Sequence, residues 1–222
     1  MSQSKEGQKK SFKTLFTSII LMKNTEDKLK EAIKTYNKIA SVYAKYTEDQ
    51  LMQFQLSRFE SMLPGKKILD AGCGAGRDIE YFIDDGFDAI GIDLAEKLLK
   101  EAKKRVPKGK FKKEDFRKTK FKAKTFHGVW SVTSLVHLPK SEVKKALKEF
   151  NRILDGKGIL YLSLRKGKGS KEVKFRNYIK DELRTVYFYE QVEMEELVRE
   201  AGFKILSSEA NDVWVEIFAE KK

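Results

Sequence analysis

The sequence predicts an α/β fold: a doubly wound, mostly parallel seven-stranded sheet with an antiparallel C-terminal hairpin strand, preceded by a helix. Three observations predict it. Short apolar runs alternate with amphipathic runs from residue 66 to residue 164, the order that builds a parallel sheet with helices on both faces. A glycine-dense loop, in ILDAGCGAGRD (68–78), directly follows the first of those runs. The chain then ends in two strand-like runs, 203–209 and 213–220, joined by a tight turn at 210–212.

The elements follow in order. Leu29, Ile33, Tyr36, Ile39, Ala40 and Tyr43 recur at three- and four-residue spacing, so residues 26–60 read as a helix, which Pro64-Gly65 breaks off. KKILDA (66–71) is the first strand, and a helix over about 76–85 closes at Asp85-Gly86. FDAIGID (87–93) is the second strand and AEKLLKEAKKR (95–105) the next helix. Lys110–Glu114 and FHGVWSV (126–132) are the third and fourth strands. SEVKKALKEFNRIL (141–154) is a helix with Ser141 at its start, and Asp155-Gly156 separates it from GILYLSL (158–164). A last helix over 190–201 stops at Gly202. Ligands of such sheets bind beyond the carboxyl ends of the strands, so the loops after residues 71, 93, 114, 132 and 164 are where function is expected.

Composition narrows the class. A chain of 222 residues, 41% of them hydrophobic, suits one domain over 26–222, with residues 1–25 as an arm or extra helix. No apolar run approaches the length of a membrane span. Lys5, Lys9, Lys10 and Lys13 precede LFTSIILM, a loose likeness to a signal peptide, but no small-residue cleavage site follows, and an arm or helix is the expectation. Cys73 is the single cysteine, which excludes an intrachain disulfide and fits a reducing cytoplasm; with only His127 and His137 beside it, no metal site is expected. The net charge is +13, and residues 100–124 hold thirteen bases against three acids. That run reads either as a solvated sheet edge or as a face for an anionic partner.

The glycines fall at 72, 74 and 76. The dinucleotide fingerprint G-x-G-x-x-G has Arg77 at its third glycine position, and no Walker Lys-Ser/Thr follows. Alternating glycines still let backbone approach a ligand, or let a helix pack on a strand. Asp93 lies 21 residues beyond Gly72, where a carboxylate can accept from ribose hydroxyls or cap the helix at 95–105. Asp70, Asp93 and Asp115 end three consecutive strands. Their summed charge would repel a pyrophosphate and suits a cation bearing an adenosine.

These residues carry a resemblance. DAGCGAGRD, then GFDAIGIDLAEKLLKEAKKR, KKEDF, FHGVWSVTSLVHLPK and GILYLSL in this order resemble a class I S-adenosylmethionine-dependent methyltransferase with its Rossmann-like sheet. YNKIASVYAKY (36–46) resembles the cap helix of the small-molecule branch, and the stretch to GFKIL (202–206) resembles a subgroup of undefined substrate. The resemblance implies S-adenosylmethionine as cofactor and S-adenosylhomocysteine as product. It places Asp70, Gly72 and Gly74 at the methionine part, Asp93 on the ribose, and Leu94 on the adenine. Asp115 would accept from the adenine amino group, with the Phe116 N–H on the ring. Ser131 would pass the methionine amino group, and Cys73 would fill a small loop position. Arg77 would pair with the cofactor carboxylate or else with Asp78 or Glu80. Two departures, His127 after Phe126 and Glu114 before Asp115, bear on the adenine end.

Methyl transfer from a sulfonium is an in-line displacement; the protein positions the nucleophile, excludes water and supplies a base only for a protonated acceptor. The candidate base is His137, whose other reading is a loop histidine bonded to backbone. Tyr36 on the cofactor side and Tyr43 and Tyr46 on the acceptor side would close the pocket, or pack in the core. Residues 165–189 form an insert where relatives build a lid, so Arg165, Tyr187 and Tyr189 are acceptor-side candidates. SVTS (131–134) stands where amine methylases of nucleic acid carry Asn/Asp-Pro-Pro-aromatic, and the lone cysteine excludes covalent C5-pyrimidine chemistry. A small-molecule acceptor is the leading reading. RNA or protein methylation through the 100–124 face, and a non-catalytic cofactor-binding protein, are the alternatives.

Overall fold

The computed structural model describes residues 3–174 and 182–222, with side chains from Thr25 onward. Helix α1 spans Gln3–Tyr46 and α2 spans Gln53–Met62. The single helix expected over 26–60 is therefore interrupted, and α1 extends back through most of the expected arm. Thr47 ends α1: its N–H and its hydroxyl both donate to the Tyr43 carbonyl, at 3.0 and 2.9 Å, spending that acceptor locally.

The sheet follows as β1 (Lys67–Ala71), α3 (Arg77–Asp84), β2 (Asp88–Asp93), α4 (Glu96–Arg105), β3 (Lys110–Lys113) and β4 (Phe126–Val132). Then come α5 (Lys140–Ile153), β5 (Leu154–Arg165), β6 (Ser170–Lys174), β7 (Leu183–Tyr187), α6 (Gln191–Glu200), β8 (Phe203–Ala210) and β9 (Trp214–Lys221). Seven strands lie in the order β3-β2-β1-β4-β5-β9-β8. The first five run parallel, while β9 pairs antiparallel with both β5 and β8.

Successive strand side chains face opposite ways, and both faces are covered. Leu69, Val129, Leu160 and Leu162 enter one core with Val143, Leu147 and Phe150 of α5 and Leu197 of α6. Ile68, Trp130, Ile159 and Tyr161 enter the other with Leu56 and Phe59 of α2 and Ile79 and Phe82 of α3. Covering both faces is what allows near-continuous apolar runs in β4 and β5.

The insert 165–189 carries a separate two-stranded sheet, β6 against β7; residues 175–181 of it lie outside the described residues. Thr35 of α1 donates to the Leu183 carbonyl, and Lys38 pairs with Glu182, so this hairpin leans on α1. In the basic run, Lys104 meets Glu101, Lys110 meets Asp88 and Lys113 meets Glu96, while Lys112 lies over Phe121. Among the described residues, no helix is long and apolar enough to cross a membrane.

Candidate active site

Two clefts open at the carboxyl ends of the parallel strands. The first, about 710 Å³ with its opening to solvent, lies among the loops after β1, β2, β3 and β4, with the mid-part of α1 across it. The second, about 2540 Å³ and open to solvent, runs from Asp70 and Arg77 to the β6–β7 hairpin and β9. Both are lined by Tyr36, Tyr43, Gly72, Gly74, Val132 and Thr133. These six residues are the junction.

The three loop glycines do different work. Gly72 has φ +88°, and a Cβ there would lie 2.3 Å from the Ser134 Cβ. A Cβ at Gly76 would meet that of Ala102 at 2.9 Å, so this glycine serves helix packing. At Gly74 an added Cβ would reach only the Tyr43 ring, at an ordinary 3.6 Å. The space in front of Gly74 belongs to the clefts.

Asp93 locks this loop. Its Oδ2 accepts the Gly74 N–H at 3.0 Å and its Oδ1 accepts the Ala95 N–H at 2.8 Å. The carboxylate thus braces the turn that leads into α4, whose N-cap is Ala95 and not Asp93, and tethers the glycine loop as well. Burial raises its pKa, and the N–H groups of Ala95, Gly74 and Leu94 work against that rise. A carboxylate has about four lone-pair directions, so two bonds leave acceptor capacity toward the cleft. Asp70 is buried at the end of β1, and burial, then the neighbouring Asp78 charge, push its pKa well above the carboxylate range.

Several expected site residues are engaged within the protein. Arg77 forks onto Asp78 at 2.6 and 2.9 Å and donates to the Gln50 carbonyl at 2.7 Å. Asp78 also accepts the Trp130 indole N–H at 2.8 Å. The ion-pair reading of Arg77 is therefore the one realised, although Arg77 still lines the second cleft. Asp115 accepts three side-chain contacts and the backbone N–H of Arg117, between 2.6 and 3.0 Å. Three N–H groups of Arg117 make these contacts, and Asp115 also lines the first cleft, so an adenine amino group there would share the carboxylate with Arg117. Arg117 goes on to Glu26 and Glu142, at 2.8 and 2.7 Å. Leu94 and Phe116 line the first cleft.

Ser131 lies one layer below the position expected of it. Buried, its hydroxyl bonds Ser134 Oγ at 2.5 Å and the Ala71 carbonyl at 3.3 Å, and it lines neither cleft. Thr133 and Ser134 line the first cleft instead. Thr133 has φ +54°, an unfavourable conformation for a β-branched residue, pinned by its N–H to the Ser163 carbonyl at 2.8 Å. Sequence reasoning passed over Thr133; the available signal was its place just past β4. Asp78, expected as one alternative partner of Arg77, also anchors Trp130, a role sequence reasoning missed.

His137 ends the short turn Leu135–His137 and lines the first cleft. Its Nε2 shares a 3.1 Å hydrogen bond with the Tyr36 hydroxyl. Burial and the Arg184 guanidinium lower its pKa to about 4, against an opposing pull from the Thr185 backbone. At neutral pH the imidazole is uncharged. Tyr43 packs edge-on against Tyr36, while Tyr46 is 40% exposed at the rim of the second cleft. Cys73 is buried and free, and lines the second cleft.

On the acceptor side, Arg165 lines the second cleft, stacked over Trp214. Tyr187 and Tyr189 line neither cleft. Tyr189 is buried, and its hydroxyl donates to the Leu138 carbonyl beside the His137 turn. Tyr189 is part of the core that α6 enters, and Tyr187, half-buried, packs against that core. His127 stands at the amino end of β4, where its Nδ1 accepts the Lys67 N–H at 3.1 Å; this departure sits at the opposite end of the sheet from the adenine side.

Residues 68–158 match a family model described as a methyltransferase domain. A demethylmenaquinone methyltransferase of Renibacterium salmoninarum is 29% identical over 53% of this chain and 52% of its own. The putative methyltransferase YqeM of Bacillus subtilis is 32% identical over 56% of this chain and 53% of its own. The chain thus spans about half the length of the curated relatives it matches. An S-adenosylmethionine-dependent methyltransferase of Methanosarcina mazei superposes with a TM-score of 0.67 at 19% identity, over 74% of this chain and 96% of that one. A 1,6-didemethyltoxoflavin-N1-methyltransferase of Burkholderia thailandensis, solved with 1,6-didemethyltoxoflavin and S-adenosylhomocysteine, has a TM-score of 0.66 at 20% identity, over 86% and 88%. Residues 68–158 are thus similar to a methyltransferase domain, and the fold is the one these solved methyltransferases share.

Proposed function

We propose that this chain, similar to methyltransferases in residues 68–158 and in fold, is a class I methyltransferase that transfers a methyl group from S-adenosylmethionine to a small-molecule acceptor. The observation that carries the reading is the junction of two clefts at the strand ends, with the Asp93 carboxylate braced in the smaller one. That cleft fits an adenosyl cation. Its polar groups are carboxylates, hydroxyls, the uncharged His137 and Arg117, whose charge is met by Asp115, Glu26 and Glu142; its walls are apolar (Leu29, Ile33, Leu94, Leu98, Phe116), and the missing Cβ at Gly74 leaves room for a close ligand.

S-adenosylmethionine supplies an electrophilic methyl on a sulfonium. Asp93 would hold the ribose hydroxyls with its remaining lone pairs, and Leu94 and Phe116 would flank the adenine. The methionine part would lie along Gly72 and Gly74, with Asp70 beside it. The junction residues hold the acceptor in line with the methyl group and exclude water. Where the acceptor arrives protonated, Tyr36 reaches it, because Tyr36 lines both clefts while His137 lines only the first. A proton accepted at Tyr36 Oη is matched by one passed to the uncharged His137 Nε2. Relatives named for demethylmenaquinone and 1,6-didemethyltoxoflavin support a small-molecule acceptor. The reduced, buried Cys73 supports a cytoplasmic setting.

Calorimetry with S-adenosylmethionine and S-adenosylhomocysteine tests the reading. Wild type should bind both, and Asp93→Ala should lose about 3 kcal/mol, on the order of a hundredfold. Absence of binding, or a variant that binds as tightly as wild type, overturns the assignment. A metabolite pool with labelled methyl donor, read by mass spectrometry, then identifies the acceptor.

A further inference from the structure

We infer that the acceptor carries an oxyanion, a carboxylate or phosphate, seated on Arg165, Lys171 and Arg184 at the hairpin end of the second cleft. This rests on the methyltransferase reading and names the acceptor's class. Three strands bring the cations together: Arg165 ends β5, Lys171 lies on β6 and Arg184 on β7. All three line the second cleft.

Each lies over an aromatic ring. The Arg165 guanidinium is 4.7 Å from the Trp214 ring centre, the Arg184 guanidinium 5.7 Å from that of Tyr36, and the Lys171 ammonium 5.8 Å from that of Phe188. Stacking engages the face of the Arg165 guanidinium and leaves its in-plane N–H groups to donate. Those donors match the two oxygens of a carboxylate or the three of a phosphate. Among the described residues, Arg165 and Lys171 form no ion pair, whereas the cleft's other arginine, Arg77, is neutralised by Asp78.

The cleft's charges are segregated. Asp70 and the Arg77–Asp78 pair lie at the end nearest the glycine loop, and the three stacked cations lie at the hairpin end. Glu172 and Glu216 also line the cleft, but Glu216 is engaged by Gln55, whose amide donates to both its oxygens at 3.3 and 3.4 Å. Asp70 and Asp78 thus lie on the donor's side, while Arg165 and Lys171 lie on the hairpin side with Glu172 and the Gln55-bound Glu216 as the acids near them. An anionic group fixed at the hairpin end leaves the rest of a small molecule pointing along Tyr36 toward the junction.

The test uses the full chain saturated with S-adenosylhomocysteine and three matched probes: 4-hydroxybenzoate, phenyl phosphate and 4-hydroxybenzamide. Affinities are read by saturation-transfer NMR titration. At least one anion should bind five- to tenfold more tightly than the amide, and the ranking of the two anions identifies the oxyanion. Arg165→Gln and Lys171→Gln should each weaken the anion about tenfold, leave the amide unchanged and keep S-adenosylhomocysteine affinity within twofold. Equal binding of amide and anions, no binding of any probe, or anion affinity untouched by both substitutions overturns the inference alone. Failure of wild type to bind S-adenosylhomocysteine overturns the methyltransferase reading and this inference with it.

Discussion

The two clefts share six residues and are built on opposite principles. The first is made by consecutive loops of one parallel sheet, and its polar groups are satisfied at short range: Asp93 by Gly74 and Ala95, Asp115 by Arg117, Ser134 by Ser131. The second is walled by α1, the β6–β7 hairpin and β9, and its cations rest on rings. A locked, preorganised cleft suits one unchanging ligand, because little ordering is left to do on binding. A cleft walled by an inserted hairpin can change with the acceptor while the donor site stays fixed.

The sharpest test of that contrast lies within the glycine loop. Gly72→Ala forces a Cβ to 2.3 Å from Ser134 at φ +88°, which the locked loop cannot relieve. Overpacking and backbone strain together should cost about 4 kcal/mol, lowering Tm by roughly 10 °C in a chain of this size. Gly74→Ala has space for its methyl group and φ +53°, so it should cost about 1–2 kcal/mol of stability. It should instead weaken S-adenosylhomocysteine at least tenfold, because the added carbon fills the ligand's side of the loop. Thermal unfolding and calorimetry on both variants measure this. If the two lose equal stability and equal affinity, the loop is not divided between packing and binding, and the contrast fails.

Chain distance explains what was legible. The Gly74–Asp93 bond joins residues 19 apart, inside one strand–helix–strand unit whose periodicity and loop signals are local. The sheet, its C-terminal hairpin and the β4 limits at 126 and 132 follow from the same local signals. The bonds that shape the second cleft join Tyr36 to His137 across 101 residues, Thr35 to Leu183 across 148 and Gln55 to Glu216 across 161. No spacing rule reaches that far. Tyr187 and Tyr189 resembled cleft residues because aromatic runs in an insert look alike, whether they face a ligand or α6. The break between α1 and α2 was hidden because both helices carry apolar periodicity and Thr47 is a weak stop signal. Asp115 and Ser131 lie at the expected strand ends; what the sequence concealed was the internal partner that takes up each.

His137 carries the next largest effect. Its folded pKa, about 4, lies below its ordinary value of 6.5, so the fold favours the neutral imidazole. The resulting stability is fully present above pH 6.5 and is lost as pH falls toward 4. Proton linkage sets that loss at about 2–3 kcal/mol over the interval. Denaturant unfolding at pH 7.0 and pH 4.5 should show it, and His137→Gln should flatten this part of the dependence. Methyl transfer that uses the neutral ring should likewise keep its acid limb near pH 4. An acid limb near 6.5, or a variant with the wild-type pH profile of stability, would show that His137 titrates as a solvated ring and that the first cleft is open there.

Tyr189→Phe should have the smallest effect and asks where the two clefts join. The Tyr189 hydroxyl donates to the Leu138 carbonyl, one residue past His137, so it ties the end of the insert to the turn behind the first cleft. Removing the hydroxyl leaves one buried carbonyl without its partner, at a cost of about 1 kcal/mol, or roughly 3 °C in Tm. Affinities for S-adenosylhomocysteine and for the benzoate and phosphate probes should stay within twofold, because Tyr189 touches neither cleft. Should probe affinity fall instead while Tm holds, Tyr189 reaches the acceptor in solution, and the insert belongs to the acceptor site through its tyrosines rather than through Arg165 and Lys171. A fall in both, with the acid limb of His137 moving toward 6.5, would show that the insert positions the His137 turn, and that the donor cleft is held partly by the region that varies with the acceptor.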